Sequence, residues 1–348
     1  MRKPDESTAL SHRQSARDLL RDQRFILLIL IVAIILIVGA INPRMYDGKN
    51  WLSIFAAIAV SGLLTMSMAM LLLSGGLDLS IGNIMILSGV VISVLLTGGG
   101  QTASYAPDSS ITGEEAISGG VATLPVALLV GFIIAIGCGA LNGLIVSKSK
   151  CMPLIITLGM SNVYYGLALV ISGGKFLSFQ QQLEPLRVAK IGEVIPITLI
   201  IFIAMVFVAW VLINRTKFGR RVVAIGGNEE NARLSGIKVD NYKILTYTIS
   251  GLYCGIATIL YASRLDSITA GGGSGYELTA LSAAIIGGVT FDGGKGTIIG
   301  AFLGIVFMGL VNNAMNILGV DSYIQTIVSG IIVVVAVIIS NLDNLRQK

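Results

Sequence analysis

Few residues in this chain are equipped for chemistry. Two acidic residues stand in apolar surroundings at matching places: Asp78 in Gly76-Leu77-Asp78-Leu79-Ser80 and Glu277 in Gly275-Tyr276-Glu277-Leu278-Thr279. A carboxylate at a helix start accepts backbone N–H bonds and complements the positive helix end. Ser80 and Thr279 would add capping hydroxyls. The other polar groups within apolar sequence are amides: Asn142, Asn162, Asn312, Asn313, Asn316 and Gln325. Amides in hydrocarbon need partners, so these are expected to face other helices or a cavity. Capping and helix–helix bonding are the first expectations for each residue alone. As a set, Asp78, Ser80, Asn142, Tyr276, Glu277, Asn312 and Asn313 suit the path of a neutral, hydroxyl-rich solute. No Lys or Arg lies deep in an apolar run, which disfavours an anionic one.

The same inventory excludes much. The single histidine, His12, lies in the polar N-terminal segment, so neither a His-based triad nor a His-rich metal site is expected. Cys138, Cys151 and Cys254 lack paired spacing and read as small buried hydrophobes rather than a disulfide frame. Asp78 and Glu277 are the sole acid–base pair an intramembrane enzyme would have, and no ligand constellation accompanies them. No catalytic residue, metal or cofactor is expected. Asp292-Gly293-Gly294-Lys295-Gly296-Thr297 looks like part of a phosphate-binding loop, but G-x-x-x-x-G-K-[ST] fails at Val289 and Gly296. Any ATP would therefore be bound by a partner subunit.

What must position these residues is a membrane fold. The chain has 348 residues, of which 54% are apolar and 12% charged. That charge is about half the usual ~25% of a soluble domain, and disorder is excluded by the same apolarity. A spanning helix needs about 20 apolar residues. Ten segments qualify, nearly qualify or are apolar but short: 25–41, 51–73, 79–97, 121–146, 153–171, 194–213, 244–262, 278–290, 297–318 and 323–340. Two of them, 79–97 and 278–290, open after Gly-rich breaks. None has the alternation of a strand. The first segment lacks a cleavage site and reads as a retained helix. The expected fold is thus an all-α integral membrane protein. Residues 1–24 form a polar tail, 25–341 a single membrane domain and 342–348 a second tail.

With the N-terminus inside and ten crossings, 18 Lys/Arg fall inside and six outside. The positive-inside rule therefore puts both termini in the cytosol. Loop 98–120 has no Lys or Arg and is expected outside. Residues 214–243 hold seven and form a cytosolic loop.

The acidic motifs belong to a longer internal match. Ser61-Gly62-Leu63 matches Ser250-Gly251-Leu252, and Gly139-Ala140-Leu141-Asn142 matches Gly309-Leu310-Val311-Asn312. Segments two to five thus correspond to segments seven to ten. Five crossings separate them, so the halves must run oppositely. An inverted repeat with broken helices is a transporter signature. Within the 214–243 loop, Asn228 is an N-cap, Glu229 and Glu230 occupy the first turn, and Gly236 closes a short helix over 229–235. So short a helix needs docking. It either packs on its own helix ends or meets a cytosolic partner through Glu229, Glu230, Arg233 and Leu234.

The Gly76–Gly82 motif, the Gly226–Ile237 loop, Tyr276-Glu277-Leu278, Gly287-Gly288 with Gly293–Gly296, and Asn312-Asn313 with Leu318-Gly319-Val320 together resemble the permease subunits of bacterial ribose-type ABC importers, the ribose, galactose, xylose, arabinose and autoinducer-2 class. The resemblance covers about Phe25 to Asn341. It implies a plasma-membrane permease for a monosaccharide, paired with a second copy or a paralogue. A cytosolic ATPase would drive it and an external (periplasmic) sugar-binding protein would supply it; nucleic acid is no partner. It also implies that Asn228, Glu229, Glu230, Arg233, Leu234 and Gly236 form the coupling element for the ATPase. Tail 1–24 and loop 98–120 are longer than a compact member needs. The rival reading is a stand-alone secondary transporter for a small neutral solute, which would have no use for a capped docking helix.

Overall fold

The computed structural model describes residues 23–98, 120–192 and 195–345; the side chains of 336, 337 and 339–345 are left aside. Most of tail 1–24, of loop 98–120 and the last three residues therefore lie outside the described residues. All ten apolar segments coincide with helices: α1 (Gln23–Ile41), α2 (Gly48–Leu73), α3 (Ile81–Thr97), α4 (Leu124–Ser149), α5 (Pro153–Ser172), α7 (Ile197–Arg215), α10 (Val239–Leu265), α11 (Tyr276–Ile286), α12 (Ile298–Ile317) and α13 (Ser322–Leu345). Three short helices complete the set: α6 (Glu184–Val188), α8 (Lys217–Gly227) and α9 (Glu229–Leu234). Among the described residues, seven helices are long and apolar enough to cross a membrane by length and composition: α1, α2, α4, α5, α7, α10 and α12. α3 and the apolar part of α13 are shorter.

Helices α2 and α10 occupy the centre. Protein covers 83% of the apolar window of α2 and 61% of that of α10, against 17% in α5 and α7. The exposed apolar faces of the outer helices, with Leu36, Ile37, Ile133 and Val170 on them, suit lipid. Packing is most extensive where α4 crosses α10. A β-carbon on Gly139 would sit 2.9 Å from the Gly251 Cα, and one on Gly143 2.8 Å from the Tyr247 Cβ. Such close backbone approach is what small residues permit in membrane helices. The contacts follow a pattern: α10 packs on α4 and α2 on α12, α3 on α4 and α11 on α12, α3 on α5 and α11 on α13, and α3 on α10 and α11 on α2.

Both breaks are built by glycine. Helix α2 ends in paired bonds, Gly76 N to Leu71 O (2.9 Å) and Gly75 N to Leu72 O (2.8 Å). That closure needs the left-handed φ of +72° at Gly75. Helix α11 begins after Gly275, also left-handed at φ +88°. It is shorter than the 278–290 segment and starts earlier, because Gly287 and Gly288 end it by the same pairing, Val289 N to Ala284 O and Gly288 N to Ile285 O.

Three expectations change. Ile195–Pro196 forms a strand (β3) that pairs with β2 (Lys190–Ile191), so α7 starts only at Ile197; the ring of Pro196, which has no N–H, stands just before its first turn. A second two-residue ladder joins β1 (Leu177–Ser178) to β4 (Ser267–Ile268). Cys151 is exposed rather than buried, since it lies in the short turn between α4 and α5; all three cysteines are free. Asn162 is exposed on α5 and bonds its own Leu158 carbonyl at 3.3 Å, so it faces neither helix nor cavity.

Candidate functional site

The polar residues gather at three places. The first surrounds the break before α3. Asp78 is fully buried. Its Oδ1 accepts bonds from Ser80 N (2.8 Å) and Ser80 Oγ (2.6 Å), and its Oδ2 from Asn142 Nδ2 (3.0 Å). Asn142 Nδ2 also donates to Ser80 Oγ at 2.8 Å, and Tyr164 OH donates to Asn142 Oδ1 at 2.8 Å. The unwound backbone finds partners on other helices. Tyr247 OH donates to Leu77 O (2.8 Å) and accepts Leu77 N–H (3.2 Å), while Leu79 N donates to Thr157 Oγ1 at 3.1 Å. These bonds satisfy the buried backbone and carboxylate, and the amide and hydroxyls that serve them, away from water, as non-helical backbone at membrane depth requires. This cluster is closed. The hydroxyl of Ser80 donates to Asp78 and does not cap α3.

The second place surrounds the start of α11 and the polar face of α12, and it is open. Glu277 Oε1 accepts Gly275 N–H at 3.1 Å, and Oε2 lies 2.9 Å from where a β-carbon on Gly82 would stand. The Glu277 carboxylate thus leans on the first turn of α3, where Gly82 also meets the backbone of Gly273. Thr279 does not cap either; its hydroxyl donates to Gly275 O at 2.9 Å. Tyr276 stacks edge-on to Tyr261, with ring centroids 6.1 Å apart. Asn312, matched to Asn142 in sequence, does not meet the acid. Its Oδ1 accepts Ser329 Oγ at 3.4 Å. Asn313 exchanges two bonds with Asn50, at 2.7 and 3.2 Å. Asn316 Oδ1 accepts Gln325 Nε2 at 2.8 Å.

A cavity of about 210 Å³ opens between α2 and α12 at this cluster. Ser53, Ser61, Thr279, Asn312, Asn313 and Asn316 line it among apolar groups, and Arg264 stands at its edge. Two adjoining cavities, of about 230 and 200 Å³, also reach Arg264 and share Arg187. Of the predicted path residues, Asn312 and Asn313 therefore line a cavity, Tyr276 and Glu277 flank the crossing of the two broken helices, and Asp78, Ser80 and Asn142 line none of these three cavities. Arg264, Ser53, Ser61 and Thr279 were not singled out as lining residues by sequence. Arg264 counts there merely as one loop charge, and the place it occupies depends on where the last turn of α10 ends.

The third place is the 214–243 loop. Thr216 Oγ1 accepts Gly219 N–H at 3.2 Å and opens α8. That helix is absent from the sequence reading, although Phe218, Val222 and Ile225 at helical spacing signal it. Asn228 Oδ1 caps α9 through Asn231 N at 2.8 Å. Ile237 N to Ala232 O and Gly236 N to Arg233 O close it, with Gly236 at φ +81° as predicted. Arg233 reaches Asp240 (3.1 Å) and Glu229 (3.2 Å), Lys243 reaches Glu229 (2.5 Å) and Lys148 reaches Asp240 (3.7 Å). Partial burial alone would raise the Glu229 carboxyl, but the bonds and charges of Lys243 and Arg233 outweigh it and hold it below its ordinary value. The bonds to Asp240 and then Glu229 hold Arg233 above its own. Glu229 and Arg233 thus bind α9 to α10, while Glu230 and Leu234, 81% exposed, face outward.

Residues 50–337 match the family described as permease component of the branched-chain amino acid transport system. The chain belongs to that family. The permease is 33% identical over 308 residues to the ribose import permease protein of Bacillus subtilis (strain 168), covering 88% of this chain and 89% of that one. It is 33% identical over 337 residues to the galactose/methyl galactoside import permease protein of Escherichia coli (strain K12), covering 93% and 95%. The D-allose transport system permease protein of the same strain is 32% identical over 327 residues, covering 91% and 90%. No solved structure matches. The permease is a multi-pass membrane transport subunit and not an enzyme.

Proposed function

We propose that this permease is the membrane subunit of an ATP-binding-cassette importer that moves a monosaccharide, a ribose-like pentose or a hexose, into the cytoplasm across the bacterial plasma membrane. The cavity of about 210 Å³ carries the reading: its amides and hydroxyls are the donors and acceptors a neutral polyol needs, and its walls are transmembrane helices. The relatives named for ribose, galactose and allose favour the same solute class. In this reading Asn312 and Asn313 contact the sugar, Tyr276 and Glu277 guard the helix crossing, and Asp78, Ser80 and Asn142 hold the first broken helix in shape.

The paired packing of α10 on α4 and α2 on α12, with its companions, favours the inverted repeat, ten crossings and cytosolic termini. Rocking of the two halves would then open the path alternately. A separate ATPase docks on α9, through Glu230 and Leu234 on the outer face and the Asn228, Glu229, Arg233 and Gly236 framework beneath. The permease itself takes no cofactor, and ATP stays on that partner. An external sugar-binding protein delivers the solute, and a second copy or a paralogue completes the pore. Uptake of labelled D-ribose, D-galactose and D-allose in cells lacking this subunit alone tests the function. Loss of at least one uptake supports it, and undiminished uptake of every pentose and hexose offered refutes it.

A further inference from the structure

Three backbone segments, far apart in sequence, touch at one point beside α9. The first is Leu73–Gly75, where α2 ends and the chain turns toward Asp78. The second is Gly226, in the last turn of α8. The third is the Gly293-Gly294 turn between α11 and α12. Gly294 N donates to Leu73 O at 3.2 Å. A β-carbon on Gly226 would collide with that same carbonyl and lie 2.6 Å from Gly294 N. One on Gly293 would lie 2.8 Å from Gly226 O and 2.9 Å from Gly75 Cα. The contact is backbone on backbone from three sides, so no flexible side chain is present to absorb a displacement. Packed protein of this density moves as discrete bodies rather than deforming continuously.

Helix α9 is rigidly joined to this point. Asn228 N continues the α8 ladder by donating to Ala224 O at 3.1 Å, and the Asn228 side chain caps α9. Glu229 and Arg233 then clamp α9 to α10. A push on α9 must therefore move Gly226. Its neighbours belong one to each half of the proposed repeat: Leu73–Gly75 precedes the broken helix carrying Asp78, and Gly293-Gly294 follows the one carrying Glu277.

We infer that the Gly75, Gly226 and Gly293-Gly294 junction hands a displacement of α9 to both broken-helix segments at once. These glycines are positioning residues, and the inference rests on the reading of α9 as the ATPase docking element. Gly226→Ala forces the three segments apart, whereas the adjacent Gly227 has open space at its β-position and serves as the control.

The test uses the complete transporter, with its ATPase and sugar-binding subunits, in proteoliposomes. The probe is whichever of D-ribose, D-galactose and D-allose the wild-type complex accumulates. Gly226→Ala is expected to retain the ATPase subunit and hydrolyse ATP while sugar moved per ATP falls by about tenfold or more, equal to about 1.4 kcal/mol of lost coupling; Gly227→Ala keeps the wild-type ratio. An unchanged ratio in Gly226→Ala overturns the inference. Hydrogen exchange on the wild-type complex decides the case if that variant fails to assemble. Adding ATP is expected to change exchange at 73–76, 225–228 and 292–295 together. A change confined to 228–236 overturns it. If Glu229→Gln and Arg233→Gln leave coupling intact, the docking reading of α9 fails; if they uncouple and Gly226→Ala does not, the junction alone fails.

Discussion

Asn142→Leu removes the keystone of the closed cluster without changing side-chain size much. Three bonds go: Asn142 Nδ2 to Asp78 Oδ2 at 3.0 Å, Nδ2 to Ser80 Oγ at 2.8 Å, and Tyr164 OH to Oδ1 at 2.8 Å. Interhelical bonds in membrane proteins average ~0.6 kcal/mol and reach ~1.7, so three at the average give about 2 kcal/mol. One of them ends on a carboxylate, and bonds to charged groups run ~1.5–3 kcal/mol. A fully buried Asp78 then keeps two donors, both from Ser80, and leaves Oδ2 bare. The expected cost is about 3 kcal/mol, with Tyr164 retaining its bond to Cys138 O (3.1 Å). Reversible unfolding in mixed detergent micelles measures it. A cost within about 0.5 kcal/mol of wild type would show that the cluster does not hold the break.

Tyr247→Phe strands both the N–H and the carbonyl of Leu77; a loss of about 2 kcal/mol and faster hydrogen exchange at 76–78 are expected. Gly304→Val drives α12 off α11, because a β-carbon there collides with the Ala283 carbonyl, and thermal stability should fall by more than about 2 kcal/mol. The α9 clamp should also be pH-dependent. The folded Glu229 value is lowered, so its contribution is complete above the ordinary value of 4.5 and disappears as pH falls through the folded one. Hydrogen-exchange protection at 229–236, taken relative to the intrinsic rate at each pH, should fall on acidification through that range and change little between pH 6 and about 7.

The helices are legible in the sequence because an apolar run of spanning length has few other fates in a bilayer. Gly75 and Gly275 mark the breaks for an equally local reason. Glycine tolerates the left-handed backbone that ends one helix and opens another. The cap residues Asn228 and Gly236 are read as easily, since their partners lie within five positions. The α8 helix escapes such reading because Gly219, Gly226 and Gly227 make it look like loop, and its apolar face gains a purpose through α10 and α2. The divergence of Asn142 and Asn312 is beyond any local signal. Their sequence surroundings match, yet Tyr164 and Asp78 close around one, while Ser329 and a cavity meet the other. The closeness of Asp78 to Asn142 depends on how α3, α4 and α5 converge, and the position of Arg264 on how three cavities meet.

The claim that sugar passes through the open cluster is tested most directly by labelled-sugar uptake in Asn312→Leu, with the amount of permease in the membrane measured alongside. Loss of one sugar-binding amide worth about 1.4 kcal/mol or more predicts a fall of about tenfold or more at unchanged abundance. Wild-type uptake at wild-type abundance would contradict it and move the path elsewhere in the fold.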